Sequence, residues 1–474
     1  MKSQYDVVII GAGPAGLSAA YELTKSNKKV LVLERASHVG GLAKTVESNG
    51  YYYDIGPHRF YTKNKEIHDL FINILGDDVI EVDRLTRILY RGKYFNYPLT
   101  ALNALFGLGI FEAVRIVTSY IVSRLKRIIS RKEINNFEDW VIDNFGERLY
   151  RIFFKNYTEK VWGIDCTKIG DDWASTRIKG LNLISAVRYS LFPNSPKRPK
   201  SLIDKFLYPT KGAGMLWDKF EEAVINQEGQ VEKNREVIKI SNHKKGYKII
   251  ARDRDNKEFE YCCEQIFFSI PPKHFFNMLD SEIPESILNA ANSLRHRNHI
   301  SVHITVNHKL FPDNWIYVHS PDLQLARVSD FSNFSKHMTK DGHSPLSVEY
   351  FCYDEDTLWK SSNDELIQLA FDEVRQLAEN SVSNLEILDA SVTRSKNAYP
   401  VIEKGFQEHI DTVRDWLPSL ENISAIGRAG MFKYNSQDHD MATGIYAARI
   451  YLGDDKNDPW LVNTDGEYAE EISE

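Results

Sequence analysis

The sequence predicts an α/β protein in which a Rossmann-like domain is combined with a helical domain and an antiparallel-sheet domain. Three observations support this fold class: a strand–glycine loop–helix–strand unit at residues 5–34, a helical stretch at 99–132, and alternating strand patterns after about residue 208. The chain has 474 residues. At roughly 150 residues per domain, this length suggests about three domain-sized units.

The first unit has the features of a dinucleotide-binding motif. An apolar strand at Tyr5–Ile10 is followed by Gly11-Ala12-Gly13-Pro14-Ala15-Gly16, a helical pattern and a second apolar strand that ends at Glu34. Gly11 permits a tight turn, Gly13 lets the backbone approach a pyrophosphate, and Gly16 lets the helix pack closely on the strand. The helix N-terminus then faces the phosphates, and Glu34 accepts hydrogen bonds from the ribose hydroxyls.

A second glycine pair, Gly40-Gly41, follows the ribose-binding acid. This spacing resembles the FAD signature of the two-dinucleotide-binding-domain flavoproteins, which include amine oxidases, protoporphyrinogen oxidases, phytoene desaturases and UDP-galactopyranose mutases. The resemblance implies FAD as the cofactor. A second GxGxxG unit is not visible in the sequence, so we expect reducing equivalents to come from an external reductant rather than from a separate NADPH domain.

The composition argues against several other classes of protein. Charged residues make up 26% and aromatic residues 12% of the chain, which is not the composition of a disordered protein. The net charge of -7 provides no overall basic surface, so no nucleic-acid partner is expected. The cysteines, Cys166, Cys262, Cys263 and Cys352, lack metal-ligand spacing and are predicted to be buried thiols. With no signal-peptide pattern at the start, they favour a cytoplasmic location.

The stretch from Leu99 to Lys132 is predicted to be helical and amphipathic. Its apolar positions are Val114, Val117, Ile121, Leu125 and Ile128, and its basic ones are Arg115, Arg124, Lys126, Arg127, Arg131 and Lys132. Two interpretations of this helix are open: its charged face is solvated, or the helix makes a peripheral contact with the inner face of an anionic membrane. Glu112 and Arg115 interrupt the apolar run, so it is not a spanning segment.

The remaining patterns complete the domain organisation. Further helices are expected at residues 137–160 and 440–452, and strands at 236–241, 247–251, 265–270, 299–307 and 345–352. The histidines His299 and His303 fall on one of these strands and His296 shortly precedes it, and we expect all three to be sheet residues rather than metal ligands. The predicted domains are a discontinuous FAD-binding domain (1–80, 203–272 and 385–452), a helical domain (81–202), a sheet substrate domain (273–384) and an acidic tail (453–474).

Several segments resemble one branch of the flavoproteins, the UDP-galactopyranose mutases. Residues 54–62 are similar to that family's G-[AP]-H-x-F-[HY]-T segment, and residues 90–99 to its Y-x-x-K-x-F-N-x-P-[LF] strand. Residues 146–163 match G-E-x-L-Y … Y-T-E-K-x-W-G, and residues 209–214 resemble its P-x-G-G flavin loop. Near the C-terminus, Tyr399, Arg428 and Tyr434 repeat the family's order with separations of 29 and 6 residues, and Asp440-Met441 matches the D-M of its last helix.

The resemblance implies an FAD-dependent nucleotide-sugar pyranose/furanose mutase in cell-surface glycan biosynthesis. In that family the reduced flavin N5 attacks C1 of the sugar and UDP leaves. The sugar ring then opens through an iminium and recloses as the furanose, and UDP returns to C1 and releases the flavin, without net redox change. Its partners would be a nucleotide-diphosphate sugar, with a UDP-sugar favoured, and an external reductant. A homodimer is an open question.

The same resemblance assigns roles to individual residues. Arg327, His58, Tyr157 and Trp162 form the expected catalytic set; Tyr157, Trp162, Arg327, Tyr399 and Tyr434 are expected to bind the substrate. The expected FAD contacts are Gly11, Gly13, Pro14, Ala15, Gly16, Glu34, Arg35, Gly40, Gly41, Leu42, His58, Val237, Arg428, Asp440, Met441 and Ala442. No metal ligand is expected.

The sequence also departs from the mutase pattern. Leu181 stands where that family has a substrate-side arginine, and Lys205 where it has a tyrosine. The segment between Arg327 and Tyr399 is about twice the family's length and looks more like the oxidase branch. An FAD-dependent oxidase or desaturase of the amine oxidase or protoporphyrinogen oxidase type is therefore the alternative, and a non-enzymatic FAD-binding protein is a third reading.

Overall fold

A computed structural model describes the chain over residues 3–97, 99, 101–130, 133–170, 183, 204–378, 382, 384–454 and 456–464. Arg177, Leu181, Arg131 and Lys132, and the tail beyond residue 464, lie outside these ranges, so the sequence interpretations that involve them are not addressed by the structure.

The strands form two seven-stranded sheets and two short pairs within these ranges. In chain order they are β1 (Ser3–Ile10), β2 (Val30–Glu34), β3 (Thr45–Ser48), β4 (Tyr51–Asp54), β5 (Val79–Asp83), β6 (Thr86–Tyr90), β7 (Lys93–Asn96), β8 (Lys205–Pro209), β9 (Gln230–Lys233), β10 (Glu236–His243), β11 (Gly246–Arg252), β12 (Glu258–Phe268), β13 (His296–Val306), β14 (Trp315–Val318), β15 (Arg327–Asp330), β16 (Ser344–Cys352), β17 (Ile387–Pro400) and β18 (Ile423–Ala425).

The described α-helices connect and cover these sheets. They are α1 (Pro14–Lys25), α2 (Lys65–Leu75), α3 (Ala101–Leu108), α4 (Ile110–Ser130), α5 (Phe137–Phe145), α6 (Glu147–Leu149), α7 (Asn156–Trp162), α8 (Gly214–Asn226), α9 (Pro272–Phe276), α10 (Glu285–Ser293), α11 (Thr357–Lys360), α12 (Asn363–Leu377), α13 (Phe406–Trp416), α14 (Gly427–Gly430) and α15 (Gln437–Leu452). A π-helical turn, Tyr150–Lys155, joins α6 to α7. Short 3₁₀ turns lie at Gly41–Ala43, Gly76–Asp78, Cys166–Lys168, Phe331–Asn333, Lys336–Met338, Leu417–Ser419 and Pro459–Leu461.

The first sheet contains the predicted nucleotide-binding unit. Its strands run in the order β10-β11-β12-β1-β2-β9, with β18 beside the end of β12. The pairs β12–β1, β1–β2 and β2–β9 are parallel, whereas β10 and β11 pair antiparallel as an edge hairpin. The second half of central strand β1, Val7–Ile10, is buried on both faces because helices cover it, which explains why these four residues are all apolar. The predicted α/β Rossmann-like unit is confirmed.

Two helices from opposite ends of the chain pack closely over this sheet. Helix α1 follows the glycine loop, and α15 closes the fold near the C-terminus; a Cβ on Gly444 in α15 would lie 2.1 Å from the carbonyl oxygen of Ala15 in α1. Gly16 is equally constrained, since its Cβ would lie 2.0 Å from the carbonyl oxygen of Gly11. Backbone contact at these positions brings the C-terminal segment to the cofactor loop.

The second sheet has the order β17-β13-β16-β15-β14-β6-β7. Strand β13 lies antiparallel to β16 and to β17, and all nine residues of β16 are buried. Helix α12 packs on this sheet through Leu366, Ala370 and Val374. The strands predicted at residues 299–307 and 345–352 are confirmed as β13 and β16.

The second sheet draws strands from all three predicted domains. Strands β6 and β7 lie within residues assigned to the helical domain, and β17 lies within those assigned to the FAD-binding domain. Hydrogen bonds to strands that are distant in sequence place β6, β7 and β17 in this sheet. Local sequence patterns do not reveal such pairings. We keep the three-domain division as a proposal, with these strands assigned to the sheet domain.

The helical stretch predicted at residues 99–132 is divided in two. Gly109, with φ of +93°, separates α3 from α4 because this backbone conformation ends a helix. Helix α4 packs through Ile116 and Tyr120, and a Cβ on Gly146 would lie 2.7 Å from the Cα of Tyr120. Among the described residues, no helix combines the length and the apolar composition that crossing a bilayer requires.

The contact between α1 and α15 can be tested at Gly444. In Gly444→Ala the added methyl group would overlap the carbonyl oxygen of Ala15, so we expect the free energy of unfolding to fall by about 1–3 kcal/mol. Gly170→Ala is the control because no atom of the described residues lies within 4 Å of its Cβ position, and a change of about 0.5 kcal/mol or less is expected. Denaturant unfolding of the two variants measures both values; equal losses would contradict the packing argument.

Candidate active site

A cavity of about 820 Å³ joins the two sheets. Its wall combines the loop after β1, the end of β2, the start of β10 and the segment around α14 and the start of α15 with second-sheet residues that include Tyr317, Arg327 and Tyr399. The predicted nucleotide-binding loop and the predicted substrate residues therefore open into one continuous space.

The glycine loop forms one end of this cavity. Gly11 has φ of +104°, and its Cβ would lie 2.4 Å from the hydroxyl oxygen of Ser269, so only glycine fits there. Gly13 differs, because no atom lies within 4 Å of its Cβ position. Pro14 and Ala15 line the cavity at the start of α1. The N-cap residue of this helix is Gly13, which has no side chain to bond the first backbone N–H groups. The space beside Gly13 and the open helix N-terminus fit a pyrophosphate.

Glu34 lies at the end of β2, where the motif predicts a ribose contact. Its carboxylate accepts hydrogen bonds from the backbone nitrogens of Ala12 and Ala36, both at 2.8 Å. Each carboxylate oxygen keeps a lone pair that a hydroxyl can use. Arg35 and Val237 line the same part of the wall, so these predicted cofactor residues lie together.

The second glycine pair lies against the first loop. The backbone nitrogen of Gly40 donates to the carbonyl oxygen of Ala12 at 2.9 Å, and a Cβ on Gly41 would lie 3.3 Å from the Cα of Gly13. Both residues have positive φ, at +89° and +55°. Gly41 and Leu42 line the cavity, whereas Gly40 supports the loop from behind.

Arg428 lies at the start of α14, where the chain returns to the cofactor loop. Its guanidinium carbon lies 4.4 Å from the ring centre of Tyr399 and 4.6 Å from that of Tyr434. Nη1 donates to the carbonyl oxygen of Asn435 at 3.1 Å, whereas the buried Nε and Nη2 have no hydrogen-bond partner in the described structure. Since buried guanidinium nitrogens need acceptors, an anionic ligand fits this position.

Asp440 also lines the cavity, in the first turn of α15. Burial raises the pKa of its carboxyl to about 7, although a hydrogen bond from Asn435 Nδ2 at 3.1 Å favours the ionised form. The next two predicted cofactor residues, Met441 and Ala442, also belong to α15, but they are buried in the hydrophobic core and do not line the cavity wall.

His58 approaches the cavity from the segment after β4. Its Nδ1 atom is buried without a hydrogen-bond partner in the described structure, and its carbonyl oxygen accepts from Gln437 Nε2 at 3.2 Å. Burial lowers the pKa of the imidazole to about 3, so the ring is neutral at physiological pH. A neutral ring with one unused nitrogen can donate to or accept from a bound ligand.

The second-sheet wall carries a buried ion pair. Arg327 on β15 donates from Nε to Glu349 Oε1 at 2.6 Å and from Nη2 to Oε2 at 2.5 Å, and His299 Nε2 lies 3.0 Å from Oε2. Burial alone would raise the pKa of Glu349, but Arg327 and His299 hold it at about 2. A Cβ on Gly56 would lie 3.1 Å from Glu349 Oε2, so the segment that carries His58 passes directly over this pair.

Tyr157 and Trp162, predicted to contact substrate, form the layer behind the cavity wall. Tyr157 stacks on His319 with ring centres 4.4 Å apart and meets Tyr317 edge-on at 5.7 Å. Trp162 lies 5.6 Å from the ring of Tyr434. Tyr317 and Tyr434 line the cavity, whereas Tyr157 and Trp162 do not. Any direct contact of these two with substrate remains a prediction.

Other residues of the Y-T-E-K-x-W-G string hold α7 in place. Lys160 Nζ donates to the carbonyl oxygens of Val318, Ser320, Leu323 and Leu325 at 2.9–3.3 Å. These bonds attach α7 to the segment that leads into Arg327. The likeness of this string to the mutase pattern therefore has a structural explanation, in addition to any catalytic role of its residues.

A buried network fixes the loop at residues 209–214. Asp54 accepts from Thr45 Oγ1 and from Tyr208 Oη, both at 2.5 Å, and from the backbone nitrogen of Ala213 at 3.1 Å. A Cβ on Gly212 would lie 2.4 Å from Thr45 Oγ1. The segments resembling the family's flavin loop and its G-[AP]-H-x-F-[HY]-T motif are thus joined through one carboxyl group.

The histidines of β13 are sheet residues, as the sequence predicted. His303 bonds Ser347 Oγ and Thr393 Oγ1 at 2.7 and 3.1 Å, His299 bonds Glu349, and His296 packs on Phe432. Within the described residues, no group of histidine, cysteine or acidic side chains could hold a metal ion, and all the cysteines are free and buried.

Sequence reasoning missed Glu349, His299 and Tyr317 as parts of the site. A usable signal existed for Glu349: an acid at the centre of the apolar strand Ser344–Cys352 is rarely buried unless it is paired. No comparable signal marks Tyr317, since tyrosine is common on half-buried strands.

The chain matches the family of flavin containing amine oxidoreductases over residues 14–407. The chain belongs to this family. The residues present fit the implied flavin: the space beside Gly13 would take a phosphate, Arg428 has two nitrogens without acceptors, and Nδ1 of His58 is unused. We therefore describe the protein as a flavoprotein enzyme of this family.

Relatives and solved structures give more specific likenesses. A probable UDP-galactopyranose mutase of Klebsiella pneumoniae is 26% identical over 35% of this chain and 42% of its own length. A dTDP-fucopyranose mutase of Escherichia coli is 29% identical over 34% of this chain and 43% of its own. The chain thus aligns with less than half the length of these curated relatives. A crystal structure of reduced UDP-galactopyranose mutase superimposes with a TM-score of 0.82 and 21% identity over 97% of this chain and 96% of that one, which confirms the fold.

The different constraints on Gly13 and Gly16 lead to a testable contrast. In Gly13→Val the side chain has room in the protein but occupies the pyrophosphate space, so FAD affinity should fall by about tenfold or more while the apoprotein keeps its stability. Gly16→Ala should instead lower the free energy of unfolding by about 1–3 kcal/mol. Flavin titration and denaturant unfolding distinguish the two; loss of stability in Gly13→Val would contradict the assignment.

The raised pKa of Asp440 predicts a pH dependence of cofactor binding. The carboxyl is neutral below its pKa of about 7 and ionised above it, where it opposes a bound pyrophosphate. The dissociation constant for FAD should therefore rise roughly tenfold as pH increases through this value. Asp440→Asn should remove the trend. Flavin fluorescence titrations across this range measure it, and an unchanged slope in the variant would assign the dependence elsewhere.

Proposed function

We propose that this protein is an FAD-dependent nucleotide-sugar mutase that interconverts pyranose and furanose forms, with a UDP-sugar as the favoured substrate. The observation that carries the proposal is the cluster of Arg327, Arg428, Tyr399 and Tyr434 on the cavity wall that also holds the predicted flavin residues. A diphosphate leaving group needs such cationic and hydroxyl donors. The partial matches to two sugar mutases support the same substrate class.

The flavin would supply the chemistry at the sugar: when bound in its reduced form it provides a nucleophilic nitrogen at C1, with no net redox change. This assignment of N5 as nucleophile extends the resemblance found in the sequence. Attack at C1 requires a cavity wall that holds the nucleotide diphosphate in place while the sugar–phosphate bond is broken.

The residues of this chain would hold the diphosphate next to that nitrogen. Glu349 keeps Arg327 ionised and fixes its planar group, so Arg327 can offer oriented N–H donors without reorganising. Burial raises the pKa of Tyr399 to about 12, so its hydroxyl stays a neutral donor at physiological pH. Tyr434, 5.7 Å from Tyr399 between ring centres, would bind the diphosphate from beside it, and Tyr157 and Trp162 would support the aromatic wall from behind.

An oxidase or desaturase remains the second candidate because the family match is to amine oxidoreductases. The wall argues against an amine substrate. A protonated amine would meet the guanidinium group of Arg428, and like charges disfavour binding, whereas the charge of Arg327 is compensated by Glu349. This charge argument does not apply to an uncharged substrate. We also propose, from the mutase resemblance, a cytoplasmic role in cell-surface polysaccharide biosynthesis.

Redox requirements separate the two candidates. The purified flavoprotein should convert a UDP-, dTDP- or GDP-sugar to its furanose only after dithionite reduction, with turnovers exceeding the reductant added. Anion-exchange chromatography of the nucleotide sugars measures the product. If no nucleotide sugar bound or turned over, and an amine or polyene reduced the oxidised flavin instead, the mutase proposal would be abandoned.

Removal of the two tyrosine hydroxyls tests the substrate end of the cavity. Tyr399→Phe combined with Tyr434→Phe should weaken UDP binding by about tenfold to a hundredfold, because two hydrogen bonds to a charged group are lost. FAD content should not change. Tyr21→Phe with Tyr52→Phe is the matched control, since neither ring lines the cavity. Isothermal titration with UDP measures the affinities, and equal values in both variants would remove the tyrosines from the site.

A further inference from the structure

Helix α4 carries most of the strongly exposed large hydrophobic side chains of the described structure. Of the 14 strongly exposed large hydrophobic side chains in the described ranges, nine lie on this helix. They are Ile110, Phe111, Val114, Val117, Ile121, Val122, Leu125, Ile128 and Ile129, and the exposure of Phe111 and Ile129 exceeds 80%. A contiguous patch of this kind marks an interaction surface rather than ordinary scattered exposure.

These side chains form one arc of the helix surface. At 3.6 residues per turn the nine positions fall within about 140°, and Thr118 lies inside the same arc. The hydroxyl of Thr118 donates to the carbonyl oxygen of Val114, so this residue adds a methyl group and no free donor to the arc. The arc is therefore apolar along the full length of α4.

The opposite side of α4 attaches the helix to the protein. Ile116 and Tyr120 are buried, and Ser119 Oγ and Ser123 Oγ accept from the backbone nitrogens of Arg148 and Glu147 at 3.0 and 3.4 Å. Because these contacts set the rotation of the helix, the apolar arc faces outward.

Cationic side chains lie along both edges of the arc. By the same helical geometry, Arg124 falls on one edge, and Arg115 and Lys126 on the other. The 21 residues of α4 contain four basic side chains and one acid, Glu112, which is bound by Arg115 and Arg148. Arg124 and Arg127 share a single carboxylate, Asp143 of α5, so the basic side chains outnumber their acidic partners. The chain as a whole has a net charge of -7, so this face is a local exception.

We propose that this face, the apolar arc of α4 with its flanking cations, docks on the surface of an anionic phospholipid bilayer. An apolar arc flanked by basic side chains on an otherwise acidic protein has the charge complementarity that an anionic lipid surface requires. The arginine and lysine stems would cover the arc edges while their charged ends reach the headgroups. The proposal does not depend on the proposed mutase activity.

A second copy of the chain fits this face less well. Two α4 helices paired antiparallel would place the Arg115 end of one copy beside the Arg124 and Lys126 end of the other. A parallel pair would place identical cations side by side. Both arrangements bring like charges together, and the nearby carboxylates add no free partner because Glu112 is bound by Arg115 and Arg148, and Asp143 by Arg124 and Arg127.

Vesicle sedimentation of the FAD-loaded protein tests the proposal. Vesicles of phosphatidylcholine with phosphatidylglycerol should bind the protein about tenfold or more tightly than vesicles of phosphatidylcholine alone. Raising sodium chloride from about 0.05 to about 0.5 M should weaken this binding because the charges are screened. Phe111→Asp with Ile128→Asp should reduce binding by about tenfold or more, because both changes place carboxylates in the arc.

The matched control is Ile225→Asp with Leu461→Asp, which adds the same charge at exposed apolar positions outside α4. It should bind vesicles like the parent protein. Retained flavin absorbance shows that each variant is folded. Absence of binding to the anionic vesicles, or equal loss in the control, would overturn the proposal. So would a solution dimer dissociated by Phe111→Asp with Ile128→Asp in a protein that does not bind vesicles, since this would assign the face to a second copy.

Discussion

The buried ion pair between Arg327 and Glu349 is the interaction on which the site depends. Taking two charges out of water costs several kcal/mol per ion, so the pair is favourable only with bidentate geometry and the added hydrogen bond from His299. With His299 it joins strands β13, β15 and β16, and it approaches residue 56 so closely that a Cβ there would lie 3.1 Å from Glu349 Oε2. The pair thereby packs against the segment that carries His58 and holds the guanidinium of Arg327 in a fixed orientation on the cavity wall.

The cofactor site shows a second constraint, which is close backbone contact. Three helical or loop segments meet at Gly11, Gly16, Gly427 and Gly444, where an added Cβ would lie within 2.0–2.7 Å of another group. Gly13 differs, because the space at its Cβ position is open in the described structure and a bound ligand would take it. Glycine is therefore required for packing at four positions and is proposed to serve binding at the fifth.

Much of the fold could be predicted from local patterns. The glycine loop, the apolar strands and the acid at Glu34 are close in sequence, and short-range geometry fixes their arrangement. The mutase-like strings also located segments that meet at the cavity, but not the depth of each side chain. Tyr157 and Trp162 match the strings well yet lie behind Tyr317 and Tyr434, because the lining layer is decided by how α7 packs on the second sheet.

By itself, the sequence determined the nucleotide-binding unit, the strand and helix types, and which residues have the chemistry to bind a diphosphate. Only the tertiary structure decided that β6, β7 and β17 belong to one sheet, that Glu349 neutralises Arg327, and that Arg428 lies over two tyrosine rings with nitrogens still free to bind an acceptor. The physical reason is range. Helical and strand periods act over a few residues, whereas a buried charge is satisfied by whichever distant segment the packing brings within hydrogen-bond distance.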